Sequence, residues 1–174
     1  MKRIAKFYKV SWEQFQKDYV NTYGENNTID MTEVRKIYDH IKIPKRATSG
    51  SAGYDFFIPF DVKLGAGETT KIPTGIRVEM EPEWVLKCYP RSGLGFKYRL
   101  QLDNTIGIID SDYFYSDNEG HIFAKITNDS HEYKTVCLKQ GDGFMQGIFV
   151  EYGITIDDCV TGVRNGGFGS TDAR

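Results

Sequence analysis

The sequence predicts a mainly β domain, a sandwich or barrel, with a helical N-terminal segment before it and a Gly-rich arm after it. Three observations carry this reading. From Ile43 onward, short alternating apolar and polar runs are separated by Gly, Pro, Asn and Asp at roughly ten-residue intervals, the rhythm of an antiparallel sandwich or barrel. The first 40 residues instead repeat apolar side chains at helical spacing. The last eleven, Arg164 to Arg174, hold three glycines and little apolar material, as a mobile arm does. The division is therefore a helical extension over 1–40, a β domain over 41–163 and an arm over 164–174.

The extension reads as two short helices. Ser11 with Gln14 three residues on has the form of a capping box, and Trp12, Phe15, Tyr19 and Val20 follow on one face. Asp30 with Glu33 repeats the start signal, followed by Met31, Val34, Ile37, Tyr38 and Ile41. Gly24 to Thr28 is the turn between them. Each helix has one apolar stripe that needs a partner surface, supplied by the β domain or a neighbouring subunit. Candidate strands are Tyr54–Ile58, Thr69–Pro73, Ile76–Met80, Val85–Tyr89, Thr105–Ile109, Ile122–Asn128, Thr135–Leu138 and Phe144–Glu151, with a short helix over Ser92–Tyr98.

Composition bounds the function. A chain of 174 residues fits one domain with a modest extension, and 40% hydrophobic with 26% charged residues is ordinary for a globular protein. A net charge of −2 argues against a protein that coats nucleic acid, which needs a surplus of Lys and Arg. Cys88, Cys137 and Cys159 are odd in number and lack CxxC spacing, so neither a disulfide framework nor a zinc site is expected; buried thiols are. His40, His121 and His131 show no ligand spacing. The basic N-terminus lacks a signal-peptide core, and no apolar run reaches the roughly 20 residues of a membrane span. A cytoplasmic protein is the expectation.

Three segments have the residue types that phosphate chemistry needs. Pro90-Arg91-Ser92-Gly93-Leu94-Gly95 sets a cation, a hydroxyl and backbone amides side by side after a strand, a turn that can cradle phosphate oxygens. A tight turn with a surface Arg has the same composition. Asp110 and Asp112 lie two apart after an apolar strand, so in an extended chain they point the same way. One carboxylate could then orient a water as general base, or both could simply end a strand. Arg164 to Thr171 joins a cation, glycines, Phe168 and two hydroxyls, suited to covering a base and bonding phosphates; a frayed tail is the plainer alternative, but it leaves Phe168 with nothing to cover.

In order, these segments resemble the five motifs of the homotrimeric dUTPase family. They are Ala52-Gly53-Tyr54-Asp55-Phe56, Pro90 to Gly95, Asn104 to Tyr113, Gly141-Asp142-Gly143-Phe144-Met145-Gln146, and Gly166 to Thr171. The resemblance covers roughly residues 43–172 and leaves the first 40 outside. It implies a jelly-roll-like barrel and a homotrimer with shared sites. It implies hydrolysis of dUTP to dUMP and pyrophosphate with Mg²⁺, which limits uracil in DNA and supplies dUMP. By motif, Asp110 orients the attacking water, Asn104 meets the uracil edge and Tyr113 lies against the deoxyribose. Arg91, Ser92, Gly93 and Gln146 hold phosphates. Phe168 covers the uracil, while Arg164, Gly169, Ser170 and Thr171 grip the distal phosphates. No side chain ligates the metal directly; phosphates and waters hold it, with Asp55 behind the waters.

The chain departs from the family pattern in four places. A longer loop, Phe114 to Glu119, follows Tyr113. Gly143 and Phe144 stand where a basic residue is common. Asp172 replaces a frequent terminal glycine, and the Arg164-to-Phe168 spacing is a residue short. Two rival readings follow. A dCTP deaminase, or a bifunctional relative, would need a carboxylate base, for which Glu119 is the candidate. A dUTPase-like regulatory interaction protein would use the N-terminal helices or the 114–119 loop as its surface.

Overall fold

The structure, a computed structural model, describes residues 2–25 and 28–166. The chain opens with β1 (Ala5–Lys9), α1 (Trp12–Tyr23) and α2 (Met31–Asp39). Then come β2 (Lys45–Arg46), β3 (Tyr54–Phe57), β4 (Val62–Leu64), β5 (Thr69–Pro73), β6 (Ile76–Met80) and β7 (Trp84–Pro90). A short helix α3 (Ser92–Tyr98) leads to β8 (Leu100–Leu102) and β9 (Gly107–Ile109), and a 3-10 turn follows at Ser111–Tyr115. The last strands are β10 (Phe123–Asn128), β11 (Val136–Leu138) and β12 (Gly143–Glu151). The largest sheet has five strands in the order β2-β3-β12-β7-β9; smaller ones are β5-β10-β8, β11-β4 and β1-β6. The strand pairings are antiparallel, as a jelly-roll-like barrel requires.

Alternation along the strands builds the core. Val62 and Leu64 on β4, Ile76, Val78 and Met80 on β6, and Ala124 and Ile126 on β10 point inward, with exposed or half-exposed residues between them. Phe56, Leu86 and Phe144 meet inside, each 1% exposed or less. Burial of such side chains stabilises by about 1.5–3 kcal/mol each, so the core rather than any one ion pair holds the barrel.

The N-terminal segment is part of this core, and its description as wholly helical is corrected. Ala5–Lys9 is a strand paired with β6, Phe7 opposite Val78. The Phe7 ring packs on Tyr54, Phe56 and Phe149 at 5.4–5.7 Å between centroids. One inward Phe among lysines gives a local pattern too short to read as a strand. The helices lay Phe15 and Val34, both nearly fully buried, onto the barrel, and Tyr19 and Tyr23 pack edge-on against Phe60.

Two further expectations change. The strand expected from Thr105 begins at Gly107, because Thr105 holds a positive φ of 66° in a tight turn where its N–H donates to Leu102 O at 2.8 Å. That conformation is costly for a β-branched residue. Of the thiols expected to be buried, only Cys88 is; its pKa is pushed up to about 12 by that burial. Cys137 faces out from β11, and Cys159 lies in the exposed segment after β12. No described helix is long and apolar enough to cross a membrane.

Candidate active site

One cluster of candidate residues is set by the ladder of the five-stranded sheet. Gln146 on β12 pairs with Asp55 on β3 and with Tyr89 on β7. Met145 pairs with Pro90, so Arg91 leaves the end of β7 beside them. Arg91 N–H donates to Phe144 O at 3.1 Å, and Arg91 Nε lies 3.3 Å from Asp55 Oδ1. Ser92 starts α3, whose N-terminus has no side-chain cap. Its first-turn amides, at Ser92 and Gly93, lack intrahelical carbonyls by geometry and can donate to an anion's oxygens. Arg91, Ser92 and Gly93 are exposed to solvent.

Two glycines make room for this cluster. A Cβ at Gly143 would sit 2.6 Å from Arg91 Nη1, and one at Gly53 would sit 2.7 Å from Gln146 Oε1. The fourth-motif Gly143, where a basic residue was expected from the pattern, thus lets the Arg91 guanidinium lie against the strand. One cation occupies the space that a side chain would otherwise fill.

A second cluster gathers after β9. Asp110 stands at the start of the 3-10 turn, with φ −77° and ψ 156°. The extended Asp-Ser-Asp reading is corrected, since the chain turns at Ser111. The carboxylates still converge, because the Arg164 fork spans them: Nη2 donates to Asp110 Oδ2 at 2.5 Å and Nε to Asp112 Oδ1 at 2.9 Å. Both carboxylates are about half exposed, so screening holds the pairing near 1 kcal/mol or below. Tyr113 is 7% exposed, with its ring centroid 6.0 Å from the Arg164 guanidinium carbon. Burial pushes the Tyr113 hydroxyl pKa up, which keeps it a neutral donor. Asn104 is exposed in the β8–β9 turn, next to a cavity of about 310 Å³ lined by Pro90, Gly95, Arg99, Leu100 and Thr105 among others.

The fold does not bring these clusters together within one chain. β9 runs antiparallel to β7 with Ile109 opposite Leu86, whereas Arg91 follows the far end of β7. At roughly 3.3 Å per strand residue, Asp110 and Arg91 lie about 15–20 Å apart. Phe168, Gly169, Ser170 and Thr171 lie outside the described residues. Glu119 is engaged by the start of α1, accepting from Ser11 N at 2.7 Å and Ser11 Oγ at 2.6 Å. Sequence reasoning gave no role to Arg77, Asp18 or His121, whose partners are distant in the chain and leave no local pattern.

Comparison with known proteins identifies the family of the chain. The family model described as dUTPase matches residues 39–171. The chain is 40% identical over 136 residues to the deoxyuridine 5'-triphosphate nucleotidohydrolase of Lactococcus lactis, covering 76% of this chain and 89% of that protein. The dUTPase structure from Streptococcus mutans superposes with a TM-score of 0.60 at 36% identity, over 69% of this chain and 91% of that one. A Staphylococcus bacteriophage 80alpha dUTPase shares the fold at 16% identity and a TM-score of 0.62, over 94% of this chain and 100% of that one. The matched span takes in both clusters and the segments between them, and the chain belongs to the dUTPase family.

Proposed function

We propose that the protein hydrolyses dUTP to dUMP and pyrophosphate, at sites that two or three copies of the chain build together. The observation that carries the assembly is the division of the site residues. Asp55, Arg91, Ser92 and Gln146 form a phosphate-binding half at one end of β7, and Asp110, Asp112 and Tyr113 form a hydrolytic half near the other. Neither half can hold a triphosphate and activate water alone. The segment after β12 adds to this: Ile154, Ile156, Val160 and Val163 are each at least 75% exposed. Such a strip needs a cover, and a neighbouring copy in a homotrimer supplies one.

The chemistry follows from the two halves. Asp110 accepts a proton from a water and aims its oxygen at the α-phosphorus. The new P–O bond forms as the bond to the pyrophosphate leaving group breaks, so dUMP and pyrophosphate separate. Arg91 with the Ser92 and Gly93 amides neutralises charge on the phosphates, and Gln146 bonds a phosphate or its water. Arg164 pairs with Asp110 and Asp112; a triphosphate offers its guanidinium stronger acceptors and frees Asp110 for the water. Phe168 covers the uracil, Asn104 reads its edge, and Gly169, Ser170 and Thr171 hold the distal phosphates. The tight turn around Thr105 fixes the amides that face the base. Tyr113 lies against the deoxyribose and excludes a 2′-hydroxyl.

Mg²⁺ fits the donor set. Among the described residues no three His, Cys, Asp or Glu side chains converge on one point, and Asp55 is a lone carboxylate beside Arg91. Phosphate oxygens and waters would be the ion's ligands, with Asp55 holding the waters. The bound ion would neutralise charge on the triphosphate.

Subunit mixing tests the shared site. Asp110→Asn and Arg91→Ala chains are each expected to be inactive, and co-assembled at equal amounts they should recover about a quarter of wild-type pyrophosphate release. No recovery in verified mixed assemblies would place both halves on one chain. Ammonia release from dCTP would instead identify a deaminase.

A further inference from the structure

We infer that the N-terminal helix α1, with Arg77 of β6, clamps the loop that fixes Tyr113, so that Ser11, Asp18 and Glu119 are positioning residues for sugar selectivity. This rests on the reading that Tyr113 meets the deoxyribose. The Tyr113 hydroxyl donates to His121 O at 2.8 Å and accepts from Asn118 Nδ2 at 2.8 Å. Both partners belong to the stretch that follows Tyr113, residues 114–121. The ring is therefore held no more firmly than that stretch.

The stretch is not held by the ladder of a sheet. Ser116 Oγ donates to Tyr113 O, and His121 N–H to Asn118 O, which closes the loop on itself. Glu119 sits at a φ of 58°, a left-handed conformation unfavourable for a residue with a Cβ, and Gly120 follows at 69°. Such a turn persists only when its surroundings determine it.

Those surroundings are α1 and β6. Both Glu119 carboxylate oxygens accept from Ser11, one from its N–H and one from its hydroxyl. Arg77 Nη1 lies 3.7 Å from Glu119, Arg77 Nη2 donates to Phe114 O at 2.7 Å, and its guanidinium stacks 3.7 Å from the Phe114 ring centroid. Two helical turns along α1, Asp18 Oδ2 takes a bond from the fully buried His121 Nδ1 at 2.6 Å. His121 Nε2 accepts the Gly75 N–H at 2.8 Å, so the ring proton is on Nδ1 and points at Asp18. Gln14 Nε2 donates to the same Asp18 oxygen at 2.8 Å. Ser11 and Asp18 are seven residues apart and share a helix face, and they grip Glu119 and His121 on either side of Gly120.

The consequence concerns discrimination more than turnover. Rejecting a 2′-hydroxyl requires a ring that does not yield, and an error of about 0.5 Å is enough to loosen such a site. A loosened ring costs dUTP little, because no bond to the reacting phosphorus changes, but it admits UTP.

The test is kcat/KM for dUTP and for UTP in Asp18→Ala, Asp18→Asn, Ser11→Ala, Glu119→Ala and Tyr113→Ala enzymes, with Tm measured alongside. Asp18→Ala and Glu119→Ala are expected to lower the dUTP-to-UTP ratio about tenfold through a gain for UTP. Asp18→Asn, which can still accept from His121, should restore most of the ratio. A Tyr113→Ala enzyme with the wild-type ratio would remove Tyr113 from the sugar site, and with it the basis of the inference. If Tyr113→Ala lowers the ratio while folded clamp variants keep the wild-type value, the clamp alone is wrong. Should Asp18→Ala not fold, Ser11→Ala decides: it deletes one hydroxyl of the clamp, and an unchanged ratio would overturn the inference.

Discussion

The proposed phosphate-binding half and the proposed hydrolytic half of the site are held in different ways. Asp55 and Gln146 ride on neighbouring strands and Arg91 follows directly on a third, where backbone hydrogen bonds set their spacing and two glycines make space for the Gln146 and Arg91 side chains. Asp110, Asp112 and Tyr113 ride on a 3-10 turn, where the spacing depends on side chains that arrive from elsewhere: Arg164, Asn118 and, through the following loop, α1. A ladder distributes the work of orientation over many bonds, and a turn concentrates it in a few. Substitutions around the first half should therefore act on the groups that bind, and those around the second on geometry.

The largest expected effect is on the hydrolytic half. Asp110→Asn keeps the shape and removes the proton acceptor, so kcat should fall by about 10²–10⁴-fold while dUTP still binds. Near-normal pyrophosphate release by that variant would take Asp110 out of the mechanism. Removing the arm after Asn165 comes next: a folded assembly is expected, with turnover down on the order of a hundredfold because the phosphates and base lose their cover. Unchanged turnover by the shortened chain would deny the arm any part in catalysis. On the phosphate-binding side, Arg91→Lys keeps the charge but loses the fork, and kcat/KM for dUTP should drop about tenfold. An equal kcat/KM would show that charge alone suffices there.

The smallest effect tests the support of the turn. Burial lowers the His121 pKa below its ordinary 6.5 and outweighs the opposing hydrogen bond and charge of Asp18. Burial pushes Asp18 up, but bonds from His121 and Gln14 outweigh it and hold the carboxyl below its ordinary 3.8. The signs agree. Below pH 6.5 the unfolded chain takes up a proton that folded His121 resists, and below 3.8 it takes up one that folded Asp18 resists. Stability should decline on acidification, by no more than about 1.4 kcal/mol per pH unit from His121. Thermal melts at about pH 7.5 and pH 5.5 check this; an identical Tm at both would mean that His121 gains its proton as easily folded as unfolded.

How much was legible in the sequence follows the same division. β5, β6 and the helix Ser92–Tyr98 have the bounds expected from alternation and turn residues, since each pattern is local. The three-residue strands β4 and β8 carry too few residues for alternation to register, and β2 has two. Ser11 was readable as a cap, and its hydroxyl does accept from Gln14 N–H at 3.1 Å. The return half of that capping box was not: Gln14 turns to Asp18, and Glu119 bonds Ser11 N in its place. The separation of Asp110 from Arg91 was equally hidden, because motif order says nothing about which end of a strand each motif occupies.

The Ser11–Glu119 contact also bears on how the molecule assembles in time. A helix normally completes its cap from residues in its own first turn, within the time needed to form that turn. Here the acceptor for the cap amide is 108 positions away, and β1 must find β6 across most of the same distance. Neither closure gains its contacts until the intervening strands have condensed, and long loops delay such closures. Synthesis therefore delivers β1 and α1 before the strands they pair with and pack on, and their contacts can close only once those strands have been made.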